Sequence, residues 1–184
     1  MEDFKNFDQL YRNNYNTVYS FIYNITFDKT LTEDISQEAF IRAYNHIDSF
    51  RHESNTSVWL NQIAYNLFID YKRKKSSSLL SIEDEILKSK LVDMKNDLSK
   101  EVEQKIMSEC VQKKISLLPE NYRATLFLDM HGYSNQEIAS ILNCTLENTK
   151  IRLHRARRKM KEILGNDCNF YYDERNVLCC ESKK

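Results

Sequence analysis

Lys72-Arg73-Lys74-Lys75 sets four cations in a row, and residues 147–165 hold seven basic side chains against two acidic ones. Clustered lysine and arginine bind polyanions by releasing condensed counterions. Two such clusters suggest two separate contacts with one nucleic acid. The remainder is acidic or balanced: residues 1–70 carry 5 basic and 10 acidic side chains, and residues 76–112 carry 5 and 8, so the zero net charge hides a segregated chain. Beside the basic quartet, Tyr65, Asn66, Asp70 and Tyr71 place aromatic rings among amides and charges. That mixture suits unstacked bases and their backbone. Taken one at a time, Trp59, Phe68 and Tyr71 equally suit a helical core. The polar loop 51–56 lies where a pocket for an extruded base would form.

Chemistry of other kinds finds little footing. There is no Gly-rich phosphate loop, no histidine pair at ligand spacing and no nucleophile beside a base. His46, His52, His131 and His154 are scattered. The chain reads as a non-enzyme that needs no cofactor. Cys168, Cys179 and Cys180 prompt the rival reading, a metal or thiol site. Two β-prone triplets around a polar turn predict a hairpin that brings Cys168 near the other two. Three thiols there would suit zinc, copper or a disulfide, and the alternative is a frayed tail with spare thiols.

The elements that must position these groups are helices. With 2 glycines and 1 proline in 184 residues, the chain has few means of turning tight hairpins. No apolar run approaches the roughly 20 residues that span a bilayer. The first five residues lack a secretory pattern, so the expected place is the cytoplasm and no membrane insertion is expected. Phe4, Phe7, Tyr11, Tyr15, Val18, Ile22 and Ile25 repeat at three and four, predicting a helix over 4–27. Thr32 is the expected cap of a second helix lined by Ile35, Ala39, Ala43 and Ile47, and Ser57 is expected to open a third through residue 75. Residues 77–110 lose the period and read as a linker, with order resuming near 101–117.

Pro119 then fits the first turn of a helix that ends at Gly132. Ser134-Asn135-Gln136-Glu137 is a capping box opening a short helix to about Asn143. Thr145 caps a last helix whose inward row is Leu146, Thr149, Leu153, Ala156, Met160 and Ile163, with Gly165 as its expected end. Two short capped helices, the second one basic, predict a helix-turn-helix. Asn148, Lys150, Ile151, His154, Arg155 and Arg158 are left outward. Early residues of such a helix reach base edges, Lys150 and Arg155 suiting guanine and Asn148 adenine. Arg152, Arg157, Arg158 and Lys161 suit phosphates.

Longer stretches resemble a known family. Thr32-Glu33-Asp34-Ile35-Ser36-Gln37-Glu38-Ala39-Phe40-Ile41-Arg42-Ala43-Tyr44 is similar to the helix with which bacterial sigma factors grip RNA polymerase. Phe50-Arg51-His52-Glu53 and Ser57-Val58-Trp59-Leu60-Asn61-Gln62-Ile63-Ala64-Tyr65-Asn66 resemble their promoter-melting segment. Leu118-Pro119-Glu120-Asn121-Tyr122-Arg123 and Lys150-Ile151-Arg152-Leu153-His154-Arg155-Ala156-Arg157 resemble their −35-reading domain. The likeness covers about 5–75 and 110–165, which matches the two-domain, extracytoplasmic-function group of the sigma-70 family.

The resemblance implies an all-α protein of two small helical domains joined by a flexible linker: domain 2 over 1–76, a linker over 77–110, domain 4 over 111–165 and a cysteine-containing tail over 166–184. Implied partners are the polymerase core, through its β′ clamp helices, promoter DNA, and an anti-sigma factor. Asp34, Gln37, Glu38 and Arg42 would touch the core. Trp59, Gln62, Tyr65, Asn66, Asp70, Lys72, Arg73 and Lys74 would melt and read the −10 strand, and the last helix would read the −35 duplex. A free-standing helix-turn-helix regulator is the alternative, and it leaves the first domain's basic and aromatic surface without a use.

Overall fold

The computed structural model describes residues 2–47, 55–78, 111–172 and 178–183. The predicted linker 79–110 and most of the loop 51–56 lie outside these residues. The first three helices are α1 (Glu2–Thr26), α2 (Lys29–Asn45) and α3 (Thr56–Ser78). Residues 111–116 are helical, and α4 (Glu120–Met130), α5 (Asn135–Ile141) and α6 (Leu146–Asp167) follow. The molecule is helical throughout these regions, with one two-stranded hairpin appended. No helix among the described residues is long and apolar enough to cross a membrane.

The start of α2 corrects one expectation. Its cap is Asp28, whose carboxylate accepts from the Leu31 amide at 3.0 Å. Thr32 is buried inside the first turn, its hydroxyl donating to the Asp28 carbonyl at 2.6 Å and meeting the Thr26 hydroxyl at 2.9 Å. A carboxylate three residues ahead captures the free amide earlier than a threonine inside the helix can. Phe27, with φ +53°, makes the sharp turn between α1 and α2. Asn55 caps α3 rather than Ser57, accepting from the Ser57 amide at 3.1 Å.

The remaining helix ends fall within a few residues of their sequence signals: α2 stops at Asn45, short of Ile47, α3 runs on to Ser78, and α5 closes at Ile141. Pro119 stands at the N-cap position of α4, one residue ahead of the expected first turn and without a side-chain cap bond, and Gly132 beyond the helix end has φ +82°, a left-handed geometry that glycine adopts without strain. Both halves of the Ser134–Glu137 capping box form. Thr145 caps α6 by accepting from the Asn148 amide at 3.1 Å. However, α6 runs through Gly165 to Asp167. Asp167 pairs with Lys114, and its carbonyl accepts from the Lys183 amide at 2.9 Å, so tertiary contacts hold the last turn that a glycine would otherwise release.

Packing brings the two bundles together. Phe21, Ile22 and Ile25 of α1, Ile35 and Ala39 of α2, and Leu60, Ala64 and Phe68 of α3 form one apolar cluster. The same cluster takes in Leu128 of α4 and Ile138 and Ile141 of α5. A smaller cluster, Leu118, Leu126, Leu153 and Ala156, seats α6 on α4, with Met160 and Ile163 half-buried at its edge. Leu146, expected to point inward, is exposed because it stands at the first position of α6, outside that seat.

The tail hairpin forms from β1 (Cys168–Tyr172) and β2 (Leu178–Ser182), paired antiparallel. Its register sets Cys168 opposite Ser182, Phe170 opposite Cys180 and Tyr171 opposite Cys179. Cys168 is buried and is not cross-strand partner to either other cysteine. The side chains of Cys179 and Cys180 lie outside the described residues. Among the described residues no group of three metal-ligating side chains converges.

Candidate nucleic-acid interfaces

Three turns of α6 carry the first interface. Thr149, Leu153 and Ala156 are buried against α4 and α5, which turns Asn148, Lys150, Ile151, His154, Arg155, Arg157 and Arg158 toward solvent. Ile151 is 50% exposed, an apolar side chain in the middle of a basic row. Asn135, Lys150, His154, Arg157, Arg158 and Lys161 line a shallow depression along this face. Arg157 is anchored, donating to the Asp129 carboxylate of α4 at 2.7 Å. Arg158 lies 3.7 Å from Glu162, one turn on. Arg152 is half-buried and departs from the row, its charge acting on the Tyr65 hydroxyl of α3.

Side chains of α3 carry the second interface, and here the two bundles meet. Gln62 Nε2 donates to the Ser140 carbonyl at 3.0 Å and to Asn143 Oδ1 at 3.2 Å. Asn143 Nδ2 donates in turn to Asn66 Oδ1. Asn61 is fully buried and donates to the Tyr133 hydroxyl at 2.9 Å. Lys72 pairs with Glu120 of α4 and lies 5.9 Å from the Phe68 ring centroid. Tyr65 is buried at 8% exposure, and that burial pushes its hydroxyl above the ordinary tyrosine range against a smaller opposing effect of Arg152. Asp70 and Arg73 face one another at 3.6 Å. Trp59 is half-buried against the common core, while Tyr71 and Lys74 are exposed.

Arg123 ties the bundles from the other side. Its guanidinium donates to the Ser116 carbonyl at 3.0 Å, to the Leu118 carbonyl at 2.8 Å and to the Ile25 carbonyl near the end of α1. It also stacks over the Phe27 ring at 5.2 Å. Burial lowers its pKa, with Glu120 opposing. A cation is well placed against the free carbonyls at a helix C-terminus. The sequence reading passed over Asn61, Glu120, Arg123, Tyr133 and Asn143 as contact residues. Arg123 ends the Leu118–Arg123 stretch, but nothing along the chain indicated its partner 98 residues away.

The third surface is the outer side of α2. Asp34, Gln37 and Arg42 are exposed and Glu38 is half-buried, with Arg42 donating to Glu38 at 2.9 Å. Ile41 and Tyr44, missed from sequence, are 56% and 43% exposed among them. Their signal was available: both break the apolar spacing of Ile35, Ala39 and Ala43. The Tyr44 ring packs edge-on against Phe7 of α1 at 5.0 Å.

Comparisons with known proteins agree with this geometry. The sigma-70 region 2 model matches residues 10–78, and the sigma-70 region 4 model matches residues 108–160. The chain is 37% identical over 163 residues to the ECF RNA polymerase sigma factor SigM of Bacillus subtilis, covering 88% of this chain and 97% of that protein. It is 35% identical to SigW of the same organism, over 80% of this chain and 82% of SigW. Among solved structures, the sigma factor RpoE in complex with the anti-sigma factor NepR from Bartonella quintana matches with a TM-score of 0.74 at 23% identity, covering 88% of this chain and 98% of that one. CnrH in complex with the cytosolic domain of CnrY matches with a TM-score of 0.60 at 19% identity, over 86% and 87% of the two chains. With regions 2 and 4 both matched and a relative aligned over nearly its whole length, the chain belongs to the ECF RNA polymerase sigma factors of the sigma-70 family.

Proposed function

We propose that this chain binds RNA polymerase core and directs promoter-specific initiation, residues 1–76 opening and reading the −10 strand and residues 111–165 reading the −35 duplex. The observation that carries this is the exposed basic row of α6 behind a doubly capped turn, on the same chain as an α3 surface of amides, aromatics and cations. Lys150 and Arg155 are assigned to base edges, with Asn148, Ile151 and His154 beside them. Arg152, Arg157 and Arg158 hold the backbone. Trp59, Gln62, Tyr65, Asn66, Asp70, Lys72, Arg73 and Lys74 are assigned to the separated strand. Asp34, Gln37, Glu38 and Arg42 are assigned to the polymerase, with Ile41 and Tyr44 as the apolar anchors between them.

The protein acts on initiation without a reaction or cofactor of its own, and it works in the cytoplasm. RpoE and CnrH have been captured with NepR and CnrY, and control by an anti-sigma factor belongs to the same reading. The test is run-off transcription with purified core polymerase on a library of promoter-length DNA. Discrete start sites that need this chain are expected. Asp34→Lys with Glu38→Lys should abolish core binding in a pull-down while circular dichroism stays unchanged. Loss of fold in that variant would instead assign the α2 charges to structure, and the absence of any start site would return the chain to a helix-turn-helix regulator that acts without the core.

A further inference from the structure

The outward face of α6 that carries Lys150, His154, Arg155 and Arg158 holds one side chain with neither charge nor hydrogen-bonding group, Ile151. It is half exposed and belongs to neither apolar cluster of the molecule. An α-helix turns about 100° per residue. Thr149 and Leu153, two positions before and after, are both buried in the seat of α6, so Ile151 stands at the crest of the outward face, almost directly opposite that seat. Glu147 and Arg155 lie one turn to either side of it. The fold gains little from an isoleucine here: its branched Cβ lowers helix propensity, and no core packing offsets that.

A helix seated in a major groove turns its crest to the floor, where the base edges lie. Most of that floor is hydrogen-bond donors and acceptors, which an aliphatic side chain strips of water without replacing their bonds. The exception is the 5-methyl group of thymine, an apolar group that no other standard base shows there. The cations around Ile151 hold the polyanion against it.

We propose that Ile151 selects a thymine in the upstream element by packing against its 5-methyl group. The proposal rests on the assignment of α6 to the −35 duplex. Where thymine stands, the contact buries apolar surface on both sides. Where another base stands, Ile151 covers a polar edge or leaves a gap, and affinity falls. Lys150 and Arg155 read through hydrogen bonds, so the preference set by Ile151 is separable from theirs.

The test uses the full chain assembled with purified core polymerase. Its preferred upstream element is first selected from fluorescein-labelled, promoter-length duplexes randomised in that region. The selected duplex is then remade with deoxyuridine in place of each thymine of the element in turn, which removes the methyl group and keeps the hydrogen-bonding edges. Read by anisotropy, uracil at one position should weaken wild-type binding about fourfold, the loss expected for one buried methyl-sized group. This comparison needs no variant to fold. Ile151→Ser should bind the thymine and uracil duplexes equally, and Ile151→Val should keep the difference. Arg158→Ala should weaken binding to both and leave their ratio as in wild type. A selected element without any A·T pair would overturn the proposal, as would uracil that costs nothing at every position. So would a uracil penalty that survives intact in Ile151→Ser, because another group would then hold the methyl. If Lys150→Ala and Arg155→Ala leave the preference for the selected element over random duplex unchanged, the −35 assignment itself fails, and the thymine contact with it.

Discussion

Single residues hold more than their types suggest. Arg123 gives one guanidinium to three carbonyls from two parts of the chain. Arg123→Ala should therefore cost about 2–3 kcal/mol, because charge-assisted bonds are lost and partly buried carbonyls are left unpaired. Arg123→Lys should recover less than half, since an ammonium cannot span the same fork. Urea denaturation of the two variants checks both. Tyr65 makes a prediction about pH. Its hydroxyl is raised above the ordinary 10.0, chiefly by burial, so the folded chain favours the neutral phenol. That contribution is whole below pH 10 and is lost as pH climbs through the raised value, because the unfolded chain releases its proton first. In a 295 nm absorbance titration, Tyr65→Phe should lack one late-ionising phenol, and its stability should fall less between pH 10 and 11 than that of wild type.

Elements were the most legible scale. The Ser134–Glu137 capping box could be read directly because an N-cap needs only residues within one turn of it. Ser134→Ala should cost about 1 kcal/mol in thermal or urea unfolding without displacing α6. The orientation of α6 was equally local, since Thr149, Leu153 and Ala156 define its seat by spacing alone. On that orientation, Lys150→Ala and Arg155→Ala should each weaken binding to the cognate upstream element by about 1–3 kcal/mol and relax its sequence preference. Arg158→Ala and Lys161→Ala should weaken cognate and random duplex alike and lower the salt slope by about one each. Competition binding across a salt series separates the two classes. Equal losses on both duplexes in all four variants would remove the base-reading assignment. What local reading missed lay at the ends: Asp28 rather than Thr32 at α2, and a last turn of α6 that Lys114 and the hairpin extend past Gly165.

At the scale of the molecule, the two bundles share one core. Ile138 belongs to α5 and is fully buried in the cluster that also holds Phe21, Leu60 and Phe68, whereas the lone tryptophan, Trp59, lies in α3 and packs against that cluster. Ile138→Ala should therefore lower the unfolding transition seen by Trp59 fluorescence by about 2–4 kcal/mol, coincident with the loss of helix by circular dichroism. A Trp59 transition left in place while part of the helix signal melts early would show that the bundles unfold independently. The apolar residues of both bundles were readable as inward-facing, but not as facing one another. A helix that buries one stripe against its own bundle can bury a second against another, and spacing along one chain cannot tell which neighbour supplies the cover.

The amino-acid sequence by itself determined what depends on neighbours within a few residues: helices where apolar residues recur at three and four, caps where an oxygen reaches a free amide, a basic recognition helix, and the family whose motifs it carries. It also placed the side chains assigned to the separated strand on α3. Only the tertiary structure decided that Gln62, Asn66 and Lys72 are occupied by Asn143, Ser140 and Glu120, and that Arg123 clasps the end of α1. Those contacts join residues 48 to 98 positions apart. They exist because burying a common apolar core brings polar edges together, and no propensity or short-range pattern encodes which edges those will be.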